Sequence, residues 1–200
     1  MTDGRKGTAG RRARTSREAL TAGIADILLA DGVATLPLRE LAARLNTSDR
    51  MLLYYFDNKS ALIEASIAAL AARLDELLST VTRAPDRLTP VDLLRETAGL
   101  MAVPGMAAFR MVWADILARG GRGEAPFASI AHALVQGSLA SLEAKLAIGD
   151  PTRRRRVAAS ILAVIEGMWL VGMVAPGSTD GTLDIMIERF AGSWSDTGLD

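Results

Sequence analysis

From Leu36 to Lys59 the chain reads LPLRELAARLNTSDRMLLYYFDNK, and this stretch decides the fold. Leu38, Leu41, Ala42 and Leu45 share one face of a short helix, and Pro37 suits its first position because a missing N–H costs nothing there. Asn46-Thr47-Ser48 breaks the pattern: Asn tolerates the left-handed conformation and Ser48 can cap the next helix. That third helix, predicted from about Asp49, carries Met51, Leu52, Tyr54, Tyr55 and Phe56 and stops at Asp57-Asn58. Two short helices across a tight polar turn, the second with polar groups outward, are the parts of a helix-turn-helix.

Upstream, Leu20, Ile24, Ile27 and Leu28 are spaced for one helical face, in a helix predicted from Thr15 and closed by Asp31-Gly32. Residues 1–10 are Gly, Lys, Arg and Thr with almost nothing apolar, and are expected to form a disordered basic tail. Downstream, Ile63, Ile67, Leu70, Leu74, Leu77, Leu78 and Val81 continue a 3.6-residue stripe, ended by Arg83-Ala84-Pro85-Asp86. The functional boundary is placed near residue 59, dividing the helix-turn-helix part, 11–59, from a larger helical part, 60–200. Past Pro90, Gly- and Pro-containing breaks divide the chain into five helical segments, 91–103, 105–118, 125–148, 151–174 and 181–195. No alternating strand pattern or internal repeat occurs, so the predicted fold class is all-α.

Composition agrees. Half of the 200 residues are hydrophobic, ample for a core, and abundant Ala and Leu with few aromatics favour helix. With no cysteine and one histidine, disulfide frameworks, thiolate metal sites and thiol nucleophiles are excluded. No phosphate-cradling Gly loop is present either, so neither an enzyme nor a bound metal or cofactor is expected. The basic N-terminus lacks an apolar secretion core, pointing to the cytoplasm. Formal net charge is zero but uneven: residues 1–59 hold ten Lys/Arg against seven Asp/Glu. A basic front suits a polyanionic partner.

In this setting Leu41-Ala42, Ser48, Leu52, Tyr55-Phe56 and Lys59 carry a resemblance. Their order and spacing resemble the signature of the tetracycline-repressor (TetR) family of bacterial regulators, across roughly residues 12–65. The resemblance implies a three-helix DNA-binding unit ahead of a divergent helical domain that senses a small molecule and dimerises. Three departures from the family pattern stand out. Asn46 stands where Gly is common in the turn, and Arg50 and Met51 stand where small residues open the recognition helix. Leu53 replaces the usual Tyr, with Tyr54 one place later, which rotates the phenol by about 100° around the helix.

The expected DNA-facing residues are Arg39, Thr47, Ser48, Arg50, Met51, Tyr54, Tyr55 and Lys59. Arg50 is the base reader, because a guanidinium bonds bidentately to the O6/N7 edge of guanine. Tyr54 or Tyr55 could reach a phosphate or a thymine methyl, while one of them joins Phe56 in the local core. Lys59, as its family counterpart does, is expected to hold phosphate, with Thr47, Ser48 and Arg39 as further backbone contacts. The Arg11–Arg17 segment could add an arm along the duplex.

Large adaptable side chains in the later helices, Met101, Phe109, Trp113, Met168 and Trp169, with the polar His132 and Gln136 one turn apart, form the expected pocket for an unknown small-molecule effector. The resemblance assigns the last two long helices to a four-helix homodimer interface, with Ile161 and Ile165 on the first and Leu183, Ile187, Phe190 and Trp194 on the second. Residues 157–175 also imitate a membrane span behind Arg153–Arg156, but Glu166 interrupts it. The expected partners are therefore double-stranded DNA, a second copy and an effector, with no membrane. A membrane-associated or purely structural helical protein is the alternative.

Overall fold

The computed structural model describes residues 16–33, 37–81 and 87–195, without the side chains of 79–81, 190 and 192–195. The basic tail, residues 11–15 of the arm, and the Phe190 and Trp194 side chains lie outside the described residues. Among those described there are nine helices and no strand: α1 Arg17–Asp31, α2 Leu38–Arg44, α3 Asp49–Tyr55, α4 Lys59–Val81, α5 Pro90–Leu100, α6 Met106–Gly121, α7 Phe127–Lys145, α8 Pro151–Val174 and α9 Thr182–Ser195.

Local chemistry sets most of the boundaries. Ser16 caps α1 by accepting from the Ala19 N–H at 3.1 Å, and Gly32 closes it with φ +77°, donating to the Leu28 carbonyl at 2.9 Å. Pro37 sits one place earlier than its sequence position suggested. It is the N-cap of α2, and its carbonyl accepts the first intrahelical bond from Leu41 at 3.1 Å. Asn46 adopts the left-handed conformation, φ +51°, a region open to Asn because its short polar side chain compensates locally. Asp150 caps α8 through the Thr152 and Arg153 N–H groups, each at 3.1 Å. That carboxylate offsets the cluster of arginines at the positive end of the helix. Arg155 also pairs with Glu143 at 3.1 Å and Gln136 at 2.9 Å.

Two expected segments are longer than the helices found. The segment 91–103 stops at Leu100, where a turn leads to Gly105 at φ +88°. The segment 125–148 stops at Lys145, because Leu88 and the chain after α7 exchange backbone hydrogen bonds. Leu88 donates to the Lys145 carbonyl at 2.7 Å, and Ala147 donates to the Leu88 carbonyl at 2.8 Å. A pairing across that separation leaves no trace in local periodicity.

The buried side chains form two clusters. The first joins Leu20, Ile24, Leu28, Leu41, Leu52, Phe56 and Leu62 to Val112 and Ile116 of α6 and Phe127 of α7. The second joins Leu93 and Leu94 of α5 with Leu142, Leu146, Val157, Ile161 and Ile165. The N-terminal helices therefore do not pack alone: their core continues into α6 and α7, so residue 59 is not a break in packing. Arg73 of α4 reinforces α1, reaching Asp26 at 2.6 Å and the Ala22 carbonyl at 3.1 Å.

Candidate nucleic-acid interface

The helix α3 is held by one buried side chain and one cap. Leu52 is fully buried, and Phe56, just past the helix end, is 2% exposed. Ser48 accepts from the Met51 N–H at 3.2 Å, satisfying one of the first-turn donors that no helix can satisfy itself. This leaves Asp49, Arg50, Met51, Leu53 and Tyr54 facing out. The two tyrosines, meeting edge to face with ring centroids 5.1 Å apart, are thereby sorted. Tyr54 is 78% exposed, while Tyr55 packs against the first core. Arg39 is exposed, Thr47 and Lys59 half-buried. Lys59 opens α4, whose start is capped by Asn58 accepting from the Ala61 N–H at 2.9 Å. Arg17 lies 5.2 Å from the Phe56 ring centroid, its cation over the ring face. Arg17, Arg50 and Lys59 thus stand in the first turns of α1, α3 and α4.

A feature the sequence did not disclose fastens this unit to the rest. Val33, directly after Gly32, is buried and held at both backbone groups from α6: its N–H donates to Asp115 Oδ2 at 2.9 Å, and its carbonyl accepts from Arg119 Nη1 at 2.8 Å. Arg119 is itself fixed, bonding Glu124 at 2.6 Å and stacking 4.1 Å from the Phe127 ring centroid. The paired guanidinium groups of Arg119 and Arg122 keep the Glu124 carboxyl below its usual pKa. Asp115 and Arg119 carry no local sequence signal, and only their distant partner gives them a role.

The expected effector pocket is not assembled as named. His132 and Gln136 are exposed, and Gln136 is bonded to Arg155. Phe109 packs on the first core and Met101 on the second. Trp113, Met168 and Trp169 are half-buried. A cleft of about 310 Å³ opens elsewhere, between Asp75 and Leu78 of α4, Leu93, Thr97 and Leu100 of α5, and Ser141, Leu142 and Lys145 of α7. None of the seven named residues lines it.

The expected dimer face also needs correction. Ile161 and Ile165 are 1% and 3% exposed, buried in the protomer's own second core, and Leu183 and Ile187 pack against that core. A 3.6-residue apolar pattern reveals that a face is buried, not what buries it. The face of α8 left open is a different one, with Ala159, Ala163, Gly167, Leu170, Val171 and Val174 exposed, beside exposed Ile185 on α9. The helix α8 is long and apolar enough to cross a membrane, and 22% of its most apolar stretch is buried.

An all-helical chain whose second and third helices form a helix-turn-helix, with the third capped, braced and turned outward, has the architecture of a DNA-binding regulator. Residues 20–66 match the family model described as bacterial regulatory proteins, tetR family. Among solved structures, a transcriptional regulator from Rhodococcus sp. Rha1 superposes with TM-score 0.67 at 26% identity, over 88% of this chain and 95% of that one. A putative TetR-family transcriptional regulator from Rhodococcus sp. shares the fold, with TM-score 0.65 at 17% identity over 88% and 96% of the two chains. No curated protein matches the chain. Residues 20–66 thus match the tetR-family DNA-binding region, and the chain as a whole shares the fold of a transcriptional regulator; tetR-family proteins are DNA-binding regulators rather than enzymes.

Proposed function

We propose that this regulator is a cytoplasmic repressor that binds a palindromic operator as a homodimer and is released by a small-molecule effector. The observation carrying this reading is α3, a helix anchored by Leu52 and capped by Ser48 that turns Arg50, Met51 and Tyr54 outward. Arg50 reads guanine in the major groove, and Tyr54 rather than Tyr55 meets the duplex. Lys59, Thr47, Ser48 and Arg39 hold phosphates and fix register without choosing sequence. Residues 11–59 read DNA and 60–200 receive the effector and the second copy.

The second copy covers the open face of α8. Ala159, Ala163 and Gly167 let another helix come close, and Leu170, Val171 and Val174 with Ile185 supply apolar area. Two-fold symmetry then sets the recognition helices about 34–36 Å apart, one helical turn of DNA. The same apolar face supports the alternative, a membrane-associated interaction protein. Co-sedimentation with lipid vesicles and no binding to any duplex would favour it.

The test is site selection from random duplex DNA, followed by gel shifts. The selected site should be an inverted repeat. Arg50→Ala should lose about 1–3 kcal/mol of discrimination at one base position per half-site. Lys59→Ala should weaken every sequence alike and reduce the salt slope by about one. Equal losses on cognate and scrambled duplexes for Arg50→Ala would remove it from base reading.

A further inference from the structure

Between α6 and α8 lies a group of side chains that neither DNA reading nor dimerisation uses. Arg110 is 5% exposed, and Nε, Nη1 and Nη2 are all buried without a hydrogen-bond partner among the described residues. Its guanidinium lies over the Trp169 ring, 4.3 Å from the centroid. One turn along α6, Trp113 Nε1 is likewise buried and completes no well-formed hydrogen bond among the described residues. One turn before Trp169 on α8 stands Glu166. The Arg110 charge and the Trp113 indole N–H both lie near enough to favour its ionised form, although neither group meets full hydrogen-bond geometry with it.

These donors outnumber the acceptors around them. A guanidinium has five N–H donors in a planar fork, an indole one, and neither accepts. A buried cation without a partner is strongly unfavourable, and an apolar side chain would fill a helix interface without that penalty. Burial pulls the Arg110 pKa down to about 10 against the opposing pull of Glu166, so the group stays charged at neutral pH. Burial also raises the Glu166 pKa. Glu166 is thereby pushed toward its neutral acid and competes less with an incoming anion.

We propose that Arg110 and Trp113 form the anchor of an effector site for an organic carboxylate, its two oxygens received by the guanidinium fork and the indole N–H, and its apolar body lying against Trp169. Flat, bidentate recognition by a fork of N–H groups is what a carboxylate offers and a neutral amide does not. The cleft beside α4 carries less weight, because its cation, Lys145, is already paired with Glu96 at 2.7 Å. The Arg110 nitrogens are sealed from solvent, so the ligand enters by parting α6 from α8. The helix α6 also carries Asp115 and Arg119, which grip Val33 of the DNA-binding unit, so its displacement reaches the reader directly. This inference rests on the effector reading for its regulatory meaning, but not for the existence of the site.

The full-length protein without DNA is titrated with benzoate and octanoate, and with benzamide and octanamide as uncharged counterparts, following tryptophan fluorescence and thermal midpoint. The carboxylates should change the fluorescence saturably and raise the midpoint, while the amides do neither. Arg110→Met should weaken carboxylate binding on the order of 10- to 100-fold. The unliganded variant should melt no lower than the wild type, since its guanidinium has no internal hydrogen bond to lose and removing the buried charge offsets the lost stacking on Trp169. Three results overturn the proposal: neither carboxylate binds, the amides bind as well as the acids, or Arg110→Met melts several degrees lower. Operator gel shifts with and without benzoate keep the two readings apart. Binding with unchanged operator affinity leaves the site standing and removes the effector role, and absent binding with intact operator affinity removes the site alone.

Discussion

Replacing Gly32 with Ala tests the junction between the DNA-binding helices and α6. Two costs arise at this position. The backbone there has φ +77° and ψ −173°, a combination open to Gly and costing other residues about 1–3 kcal/mol. A Cβ at Gly32 would also stand 2.6 Å from Asp115 Oδ2, the atom that receives the Val33 N–H at 2.9 Å. Pushing that carboxylate aside forfeits a charge-assisted, part-buried hydrogen bond, worth about 1.5–3 kcal/mol. The combined loss is about 2.5–6 kcal/mol, which lowers the midpoint of a chain of this size by roughly 5–20 °C. Urea denaturation of Gly32→Ala, Asp115→Ala and the double variant gives the decisive comparison. With Asp115 already removed, the alanine should cost only its backbone share, about 1–3 kcal/mol. A loss below about 1 kcal/mol in the wild-type background, or the same loss in both backgrounds, would refute the account of this junction.

Other outcomes rest on the same geometry. Ser48→Ala removes the acceptor for the Met51 N–H and should cost about 1 kcal/mol in urea denaturation, with Ser48→Gly costing a few tenths. The double substitution Leu170→Glu with Val174→Glu places charge on the open face of α8, and sedimentation should show a dimer for the wild type and monomer for the variant; an unchanged dimer would move the interface elsewhere. Glu166→Gln tests the buried acid by pH. Burial raises the Glu166 pKa above its ordinary value of 4.5, so the folded chain holds that proton more tightly than the unfolded one. The resulting stabilisation is full below 4.5 and is lost as pH rises through the raised value. The wild-type midpoint should therefore fall relative to Glu166→Gln across that window, and a constant difference would show that Glu166 titrates normally.

What the sequence alone determined lies in its local chemistry. Helices are set by a 3.6-residue apolar period, caps by Ser, Asp or Thr, and breaks by Gly, Pro and Asn, and all of these act within a few residues. That is why α8 was legible to the residue and the start of α3 nearly so, and why Phe56 could be named as core beside outward Arg50. Tertiary structure decided what each buried face touches. Ile161 and Ile165 read as an interface stripe, but α5 and α7 already cover them, and periodicity is the same whichever partner does the covering. The partners of Val33 and the closure of α7 by Leu88 are set by chain segments far apart in sequence. Arg110 left a faint mark, one arginine among Met106, Phe109 and Trp113 on an apolar helix face. Its meaning came only when packing against α8 buried that charge and supplied nothing to answer it.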